Sequence, residues 1–481
     1  MSKQALNPYL PSYEYVPDGE PRIFGDRVYI YGSHDAFNGK SFCVNDYVCW
    51  SAPLDDLANW RYEGVIYKST QDPKNKNGKM DLYAPDCVQG PDGRYYLYYE
   101  FAQLTVTSVA VSDTPAGKYE FYGYVRESDG TPYGQKKGQV NCFDPGVFVD
   151  DDESVYLYTG FSPTGMMRKL MSMRGLKLDG GYCLKLDKDM VTILEDPVYL
   201  IPGSEESLGT EFEGHGFFEA SSMRKINGKY YFTYSSELSH ELCYAVSDYP
   251  NKDFRYGGTL ISIGDIGYKG NTQAKNYLGN THGGMVQIGE QWYIFYHRQT
   301  NKQMCARQGC AEKMEILVDG SIPQVEVTSC GLNDGALKGR GIYDARIACN
   351  LWSKEGVIKY DKPFVKDKKK VHPYFTQSGT DREENGDQYI ANLKDGSVAG
   401  FKYFALEANT RIAVWIRGTA QGELAVSLEP DGDPVSRIPI SPTMDWKQFD
   451  SEESMDQVGE HGLYFKFVGT GSFDFRKFEL K

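Results

Sequence analysis

The 481-residue chain lacks the patterns that mark metal centres, membrane spans and helical folds. Its ten cysteines stand singly apart from Cys43/Cys49 and Cys305/Cys310, and no CxxC pair or Cys/His quartet occurs. Zinc and a disulfide scaffold are therefore not expected, and most thiols are expected to be reduced core residues. No apolar run is long enough to span a bilayer. The opening stretch, MSKQALNPYLPSYEYVP, has no apolar core of signal-peptide length, so a cytoplasmic location is expected of the chain as written. Positive charge is scarce: 52 Lys and Arg stand against 66 Asp and Glu, a net charge of -14. That balance argues against nucleic acid or an anionic membrane surface as partner and suits a neutral ligand such as a sugar. Long apolar runs of 3.6-residue period are missing too, which leaves an all-β chain.

Aromatic residues and glycine fill the space, with Tyr 37, Phe 24 and Gly 51. Five polar turns each lead into an aromatic-aliphatic strand: Asp26–Tyr31, Asp92–Tyr99, Asp152–Tyr158, Asn227–Tyr234 and Gly289–Tyr296. The fourth carries Asn227-Gly228, a pair that accepts the positive φ of a tight hairpin turn. The hairpins recur roughly every 60 to 75 residues, a wide and even spacing for strand-only units. Units that cannot bury both faces alone must stack, and radial stacking also removes exposed edges. The spacing predicts a five-bladed β-propeller over residues 1–325. An irregular linker is expected at 326–370, with the charged run Lys366–Lys370 at the surface, and a β-sandwich at 371–481.

Three carboxylates stand in comparable places just ahead of the aromatic hairpins: Asp18, Asp144 and Glu219. Glu219 lies beside Phe217 and Phe218, where lost hydration raises a carboxyl toward the range of a general acid. Hydrolysis of a glycosidic bond needs one protonated acid for the leaving oxygen and one base for water. A third carboxylate can hold the acid's proton on by like-charge repulsion.

Residues 7–320 resemble glycoside hydrolase family 43, on motifs that follow in the family's order, one per blade. Pro17-Asp18-Gly19-Glu20-Pro21 with Val28-Tyr29-Ile30-Tyr31-Gly32-Ser33-His34-Asp35 is similar to the first-blade motif, whose Asp is the general base. Spacing to the Tyr29 strand favours Asp18, whereas the family's Asp-Pro pattern favours Glu20; Asp18 is preferred, because spacing decides where a side chain on this strand points, and Glu20 stays a competitor for the base. Asp81-Leu82-Tyr83-Ala84-Pro85-Asp86 resembles the second-blade element, Asp144-Pro145-Gly146-Val147-Phe148 the motif of the pKa modulator, and Glu219 the general acid. His282-Gly283-Gly284 and Tyr296-His297-Arg298 resemble the fifth-blade pair.

The resemblance implies an inverting, exo-acting hydrolase of arabinose- or xylose-containing oligosaccharides, without a required cofactor. His282 is either a ligand of a calcium ion on the propeller axis or a hydrogen-bonded core histidine. Arg298 is expected to bind the sugar or Asp144, Asp86 and Glu20 to contact substrate, and Tyr83, Phe143 and Phe218 to stack on the sugar ring. Another exo specificity, such as galactosidase or galactofuranosidase, and a non-catalytic sugar-binding propeller are the competing readings. The C-terminal unit resembles a family 6-type carbohydrate-binding sandwich, in which Trp415 is expected in the core. Oligomeric state stays open.

Overall fold

The computed structural model describes residues 3–302, 304–359, 371–382 and 386–481. The run Lys366–Lys370, expected as surface linker, lies outside the described residues. Five antiparallel sheets follow in chain order, each counted from an inner strand outward. Blade one comprises Glu20–Phe24, Arg27–Tyr31, Tyr47–Pro53 and Arg61–Tyr67; blade two comprises Asp86–Gln89, Tyr95–Tyr99, Ser108–Ser112 and Glu120–Tyr124. Gly146–Val149, Val155–Thr159, Gly180–Leu186 and Val198–Pro202 form blade three; Phe217–Ile226, Lys229–Ser236, Glu241–Ser247 and Arg255–Ser262 form blade four. Blade five has three strands, Met285–Ile288, Gln291–Gln299 and Arg307–Met314. Its outer edge is clamped by Asn7, whose side chain donates to the Ala311 carbonyl at 2.9 Å and accepts from the Ala311 N–H at 3.0 Å. Inner strands of neighbouring blades touch in turn, one to two through five back to one, so the ring is closed.

The aromatic strands explain the stacking. Side chains alternate across a strand, and here each face belongs to a different inter-blade core. In blade two, Tyr96 and Tyr98 pack with Val147, Val155 and Leu157 of blade three, while Leu97 and Tyr99 pack with Tyr29, Tyr31 and Tyr47 of blade one. In blade five, Tyr293 and Phe295 join Val28 and Ile30, while Ile294 and Tyr296 join Tyr231 and Leu242 of blade four. Burying one Phe or Leu side chain is worth about 1.5–3 kcal/mol, and these strands collect that on both faces. They therefore read as continuous apolar runs rather than alternating ones.

Two six-stranded sheets enclose the C-terminal core around Phe401, Phe465, Phe475 and Phe478. The boundary expected at 371 differs from the observed pairing. Leu337–Lys338 and Asn350–Trp352 pair with Val398–Leu406, and Gly341–Asp344 pairs with Ser472–Leu480. Three short pieces of the expected linker thus supply edge strands, because short strands can add to an open edge without any alternation long enough to read. Trp415, expected in the core, faces outward: Ile412, Val414 and Ile416 fill the core, and Trp415 has the opposite parity, with Lys477 over its ring at 4.6 Å.

Candidate active site

Asp18, Asp144 and Glu219 all lie at the start of an inner strand, hence at one end of the axis. Each approach is bent by a residue in the left-handed region: Asp18 at φ 57°, Asp144 at φ 46° and Ala220 at φ 68°. Such backbone persists where surrounding structure holds it and is concentrated at functional sites. Glu219 pairs with Ser235, and around Ala220 the register slips between Glu219 and Ser222, a bulge that re-aims side chains there. Blades three and four come unusually close there. A Cβ on Gly146 would lie 2.4 Å from the Ser221 carbonyl oxygen, so glycine at 146 is what allows Asp144 to approach Glu219.

Electrostatics sorts the three carboxyls. Arg307 of blade five donates from Nη1 to Asp18 Oδ1 at 2.9 Å, while its Nε and Nη2 donate to Asp35 at 2.8 and 3.1 Å. Burial alone would raise Asp18, but the charge of Arg307 outweighs it and holds the carboxyl well below the usual range. His297 donates from Nε2 to the Asn280 carbonyl at 2.8 Å, leaving Nδ1 to accept from the Asp18 N–H at 3.2 Å. Glu219 is driven the other way, first by burial and then by the charge of Asp144, to well above the ordinary glutamate range. Asp144 is itself raised by burial against the pull of His282, whose Nδ1 lies 3.4 Å from Oδ2. The negative charge of Asp144 opposes a second charge on Glu219. The imidazolium beside Asp144 favours the anion there and leaves the proton on Glu219.

One wall is aromatic. Ring centroids step from Tyr83 to Phe143 at 5.8 Å, to Phe161 at 4.6 Å and to Phe218 at 5.4 Å. Tyr83, Phe143 and Phe218 were expected beside the sugar and are brought together; Phe161 was not anticipated, since nothing in its local sequence marks it. Arg307, Asp35, His297 and Glu100 were likewise missed as site residues. Glu100 is fully buried behind Asp144, raised by burial and by the Asp144 charge, and accepts from Thr107 Oγ1 at 3.1 Å.

Four expectations are corrected. Arg298 is turned away from the axis: it donates to the carbonyls of Ala348 at 3.0 Å and Arg346 at 2.7 Å and stacks on Phe375 at 3.9 Å, joining propeller to sandwich. Neighbours on a strand face opposite ways, so His297 in the site places Arg298 outside it. Asp86 is fully buried, accepting from Arg22 Nε at 2.9 Å and from the Val147 N–H at 2.8 Å. Glu20 is 1 % exposed and accepts from Arg224 Nη2 at 2.9 Å. Asp86 and Glu20 thus belong to an ion-paired plug along the axis rather than to a sugar site. His282 is the fourth. Burial pulls its imidazole down, but Asp144, Asp18 and Glu20 outweigh that and lift it to about 9, so it carries a proton at neutral pH. Calcium takes six to eight oxygen ligands, and this protonated, carboxylate-paired imidazole does not fit that ion.

Comparison with known proteins bears on the family and the fold. The family model described as Glycosyl hydrolases family 43 matches residues 16–322, which span all five blades. The chain is 50% identical over 483 residues to the Xylosidase/arabinosidase of Thermoclostridium stercorarium, covering 100% of this chain and 99% of that one. It is 32% identical over 314 residues to Xylosidase/arabinosidase 43A of Humicola insolens, covering 59% of this chain and 88% of that protein. In three dimensions it superposes on a family 43 arabinoxylan arabinofuranohydrolase from Bacillus subtilis, solved with cellotetraose, at a TM-score of 0.52. That match covers 99% of this chain and 97% of the other at 20% identity, and speaks for the fold alone. A five-bladed ring with three converging carboxyls, matched by the family model across the whole ring, means that this chain belongs to glycosyl hydrolases family 43.

Proposed function

We propose that the protein is an inverting, exo-acting glycoside hydrolase that removes arabinofuranosyl or xylosyl residues from plant-type oligosaccharides. Glu219 is the acid, Asp18 the base, and Asp144 the group that keeps Glu219 protonated. The observation that carries this reading is the contrast between two carboxyls at one end of the axis: Asp18 is ion-paired with Arg307 at 2.9 Å, which favours its anion, while burial and the Asp144 charge raise Glu219. Environments that push two carboxyls apart mark the acid and the base. Glu219 gives its proton to the leaving oxygen as the glycosidic bond breaks. Asp18 orients a water and takes its proton as the water oxygen bonds the anomeric carbon from the opposite face. The wall of Tyr83, Phe143, Phe161 and Phe218 offers apolar faces for the sugar's C–H surface. The sugar named here follows the xylosidase/arabinosidase relatives.

The test follows the anomer first released by wild type, using proton NMR, together with turnover by Asp18→Asn and Glu20→Gln. Inversion requires the acid and base carboxyls to stand about 6.5–9.5 Å apart, with water between. Inverted product, with turnover lost in Asp18→Asn and kept in Glu20→Gln, supports the reading; net retention overturns it. A panel of nitrophenyl glycosides assigns the sugar. Hydrolysis of none, with sugar binding retained, would instead make this a sugar-binding propeller.

A further inference from the structure

Away from the catalytic carboxyls, blade four gathers a second constellation. Glu241 and Cys243 open its third strand two residues apart, on one face. His215, two residues before its inner strand, folds over them. His215 Nδ1 stands 2.7 Å from Glu241 Oε1, Cys243 Sγ is 3.4 Å from that oxygen, and Sγ is 3.9 Å from Nδ1. Among the described residues this is the one group of three His, Cys, Asp or Glu side chains whose ligand atoms all lie within 4.8 Å of one another. Glu241 and Cys243 are buried, while the His215 side chain is 33% exposed and leaves a way in from solvent.

We propose that His215, Glu241 and Cys243 form a binding site for a thiophilic divalent transition ion of the zinc type. The donor set is one imidazole nitrogen, one carboxylate oxygen and one sulfur. Calcium and magnesium select all-oxygen shells, whereas mixed N, O and S donors suit zinc and cobalt. Tetrahedral zinc, with bonds of about 2.3 Å to sulfur and about 2.0–2.2 Å to nitrogen and oxygen, separates its ligand atoms by about 3.3–3.6 Å. The three observed separations differ from those by well under 1 Å, within reach of small side-chain movements. Thr259 Oγ1, 3.7 Å from the sulfur, or a water can take the fourth position.

The surroundings are those of a supported ligand set. Ser236 Oγ donates to Glu241 at 2.7 Å, Thr259 Oγ1 donates to its other oxygen at 3.2 Å, and the Tyr256 ring stacks on His215 at 5.1 Å. Such outer contacts fix ligand orientation. The ion takes the Nδ1 lone pair of His215, whose ring proton then sits on Nε2, and displaces the proton of the thiol. The occupied site then holds one divalent cation against one carboxylate and one thiolate. The thiol proton leaves for each ion that binds.

The experiment uses the full-length protein, stripped with chelator, desalted under reducing conditions and titrated with cobalt(II). The expected result is a thiolate-to-cobalt charge-transfer band with tetrahedral visible bands, saturating at one equivalent and bleached by zinc(II). The Tm of wild type should rise with added zinc, because the ion binds only the folded arrangement. Cys243→Ser should abolish the charge-transfer band. His215→Ala, a change at a half-exposed position, should weaken cobalt binding at least tenfold in a protein that still hydrolyses glycosides. Absence of a saturable band, a band that survives Cys243→Ser, or unchanged affinity in His215→Ala would each overturn the proposal.

Discussion

Arg307 and Asp18 form a buried ion pair across the seam where blade five meets blade one, with Nη1 donating to Oδ1 at 2.9 Å. The same guanidinium takes Asp35 with its remaining edge and lies 4.6 Å over the Phe42 ring. A planar fork can serve two carboxylates at fixed angles in a way that an ammonium cannot. The pair therefore does two things at once: it closes the ring, and it fixes the charge and direction of the carboxylate proposed as base.

Removing that cation should be visible in the pH profile. In Arg307→Gln the Asp18 carboxyl loses its main counter-charge, its pKa rises, and the acid limb of kcat/KM moves to higher pH. The variant should also lose about 3–5 kcal/mol of stability, because two buried carboxylates are left without their counter-charge. Arg307→Lys retains the charge and should shift the limb less. An acid limb unmoved in both folded variants would take Asp18 out of the base role.

Glu219→Gln should cost about 10²–10⁴ in kcat/KM on substrates with poor leaving groups and little on activated nitrophenyl glycosides, since only the former need a proton at the leaving oxygen. Comparing the two substrate types in one preparation checks this. Equal losses would contradict the assignment.

Asp144→Asn should move the alkaline limb to lower pH. Glu219 is raised by burial and then by the Asp144 charge; without that charge it ionises more readily, and the protonated acid is lost earlier as pH rises. A limb that stays where it is, at full activity, would remove Asp144 from the site.

His282 links stability to pH. Its pKa is lifted from 6.5 to about 9 in the folded chain, so its contribution is present in full below pH 6.5 and fades as pH climbs to 9. The Tm gap between wild type and His282→Gln should therefore narrow across that window. A gap independent of pH would show that the imidazole is not protonated in the fold.

Phe161→Ala should raise KM more than it lowers kcat, because the ring supports Phe143 and Phe218 at 4.6 and 5.4 Å rather than touching the reacting atoms. Steady-state kinetics separates the two parameters. A fall in kcat alone would place Phe161 nearer the chemistry.

By itself the sequence determined the blades and the order in which the three carboxyls arrive. Polar turn followed by aromatic strand is a local pattern, and period-two alternation leaves such strands no option but burial on both faces. The same local logic marked Glu219, whose neighbours Phe217 and Phe218 announce a poorly hydrated carboxyl. Tertiary structure alone decided the rest. Asp18 and Glu20 are two residues apart and share strand parity, and only Arg307, 289 residues away from Asp18, separates an ionised carboxylate from one locked against Arg224. His297 and Arg298 are adjacent, and the direction of the axis chose between them. The trio of His215, Glu241 and Cys243 has no sequence signature, because its spacing is set by the fold of one blade and not by a motif. The physical reason is common to all three. Propensity and periodicity act over a few residues, whereas charge pairing and close approach depend on which distant strands the closed ring brings together.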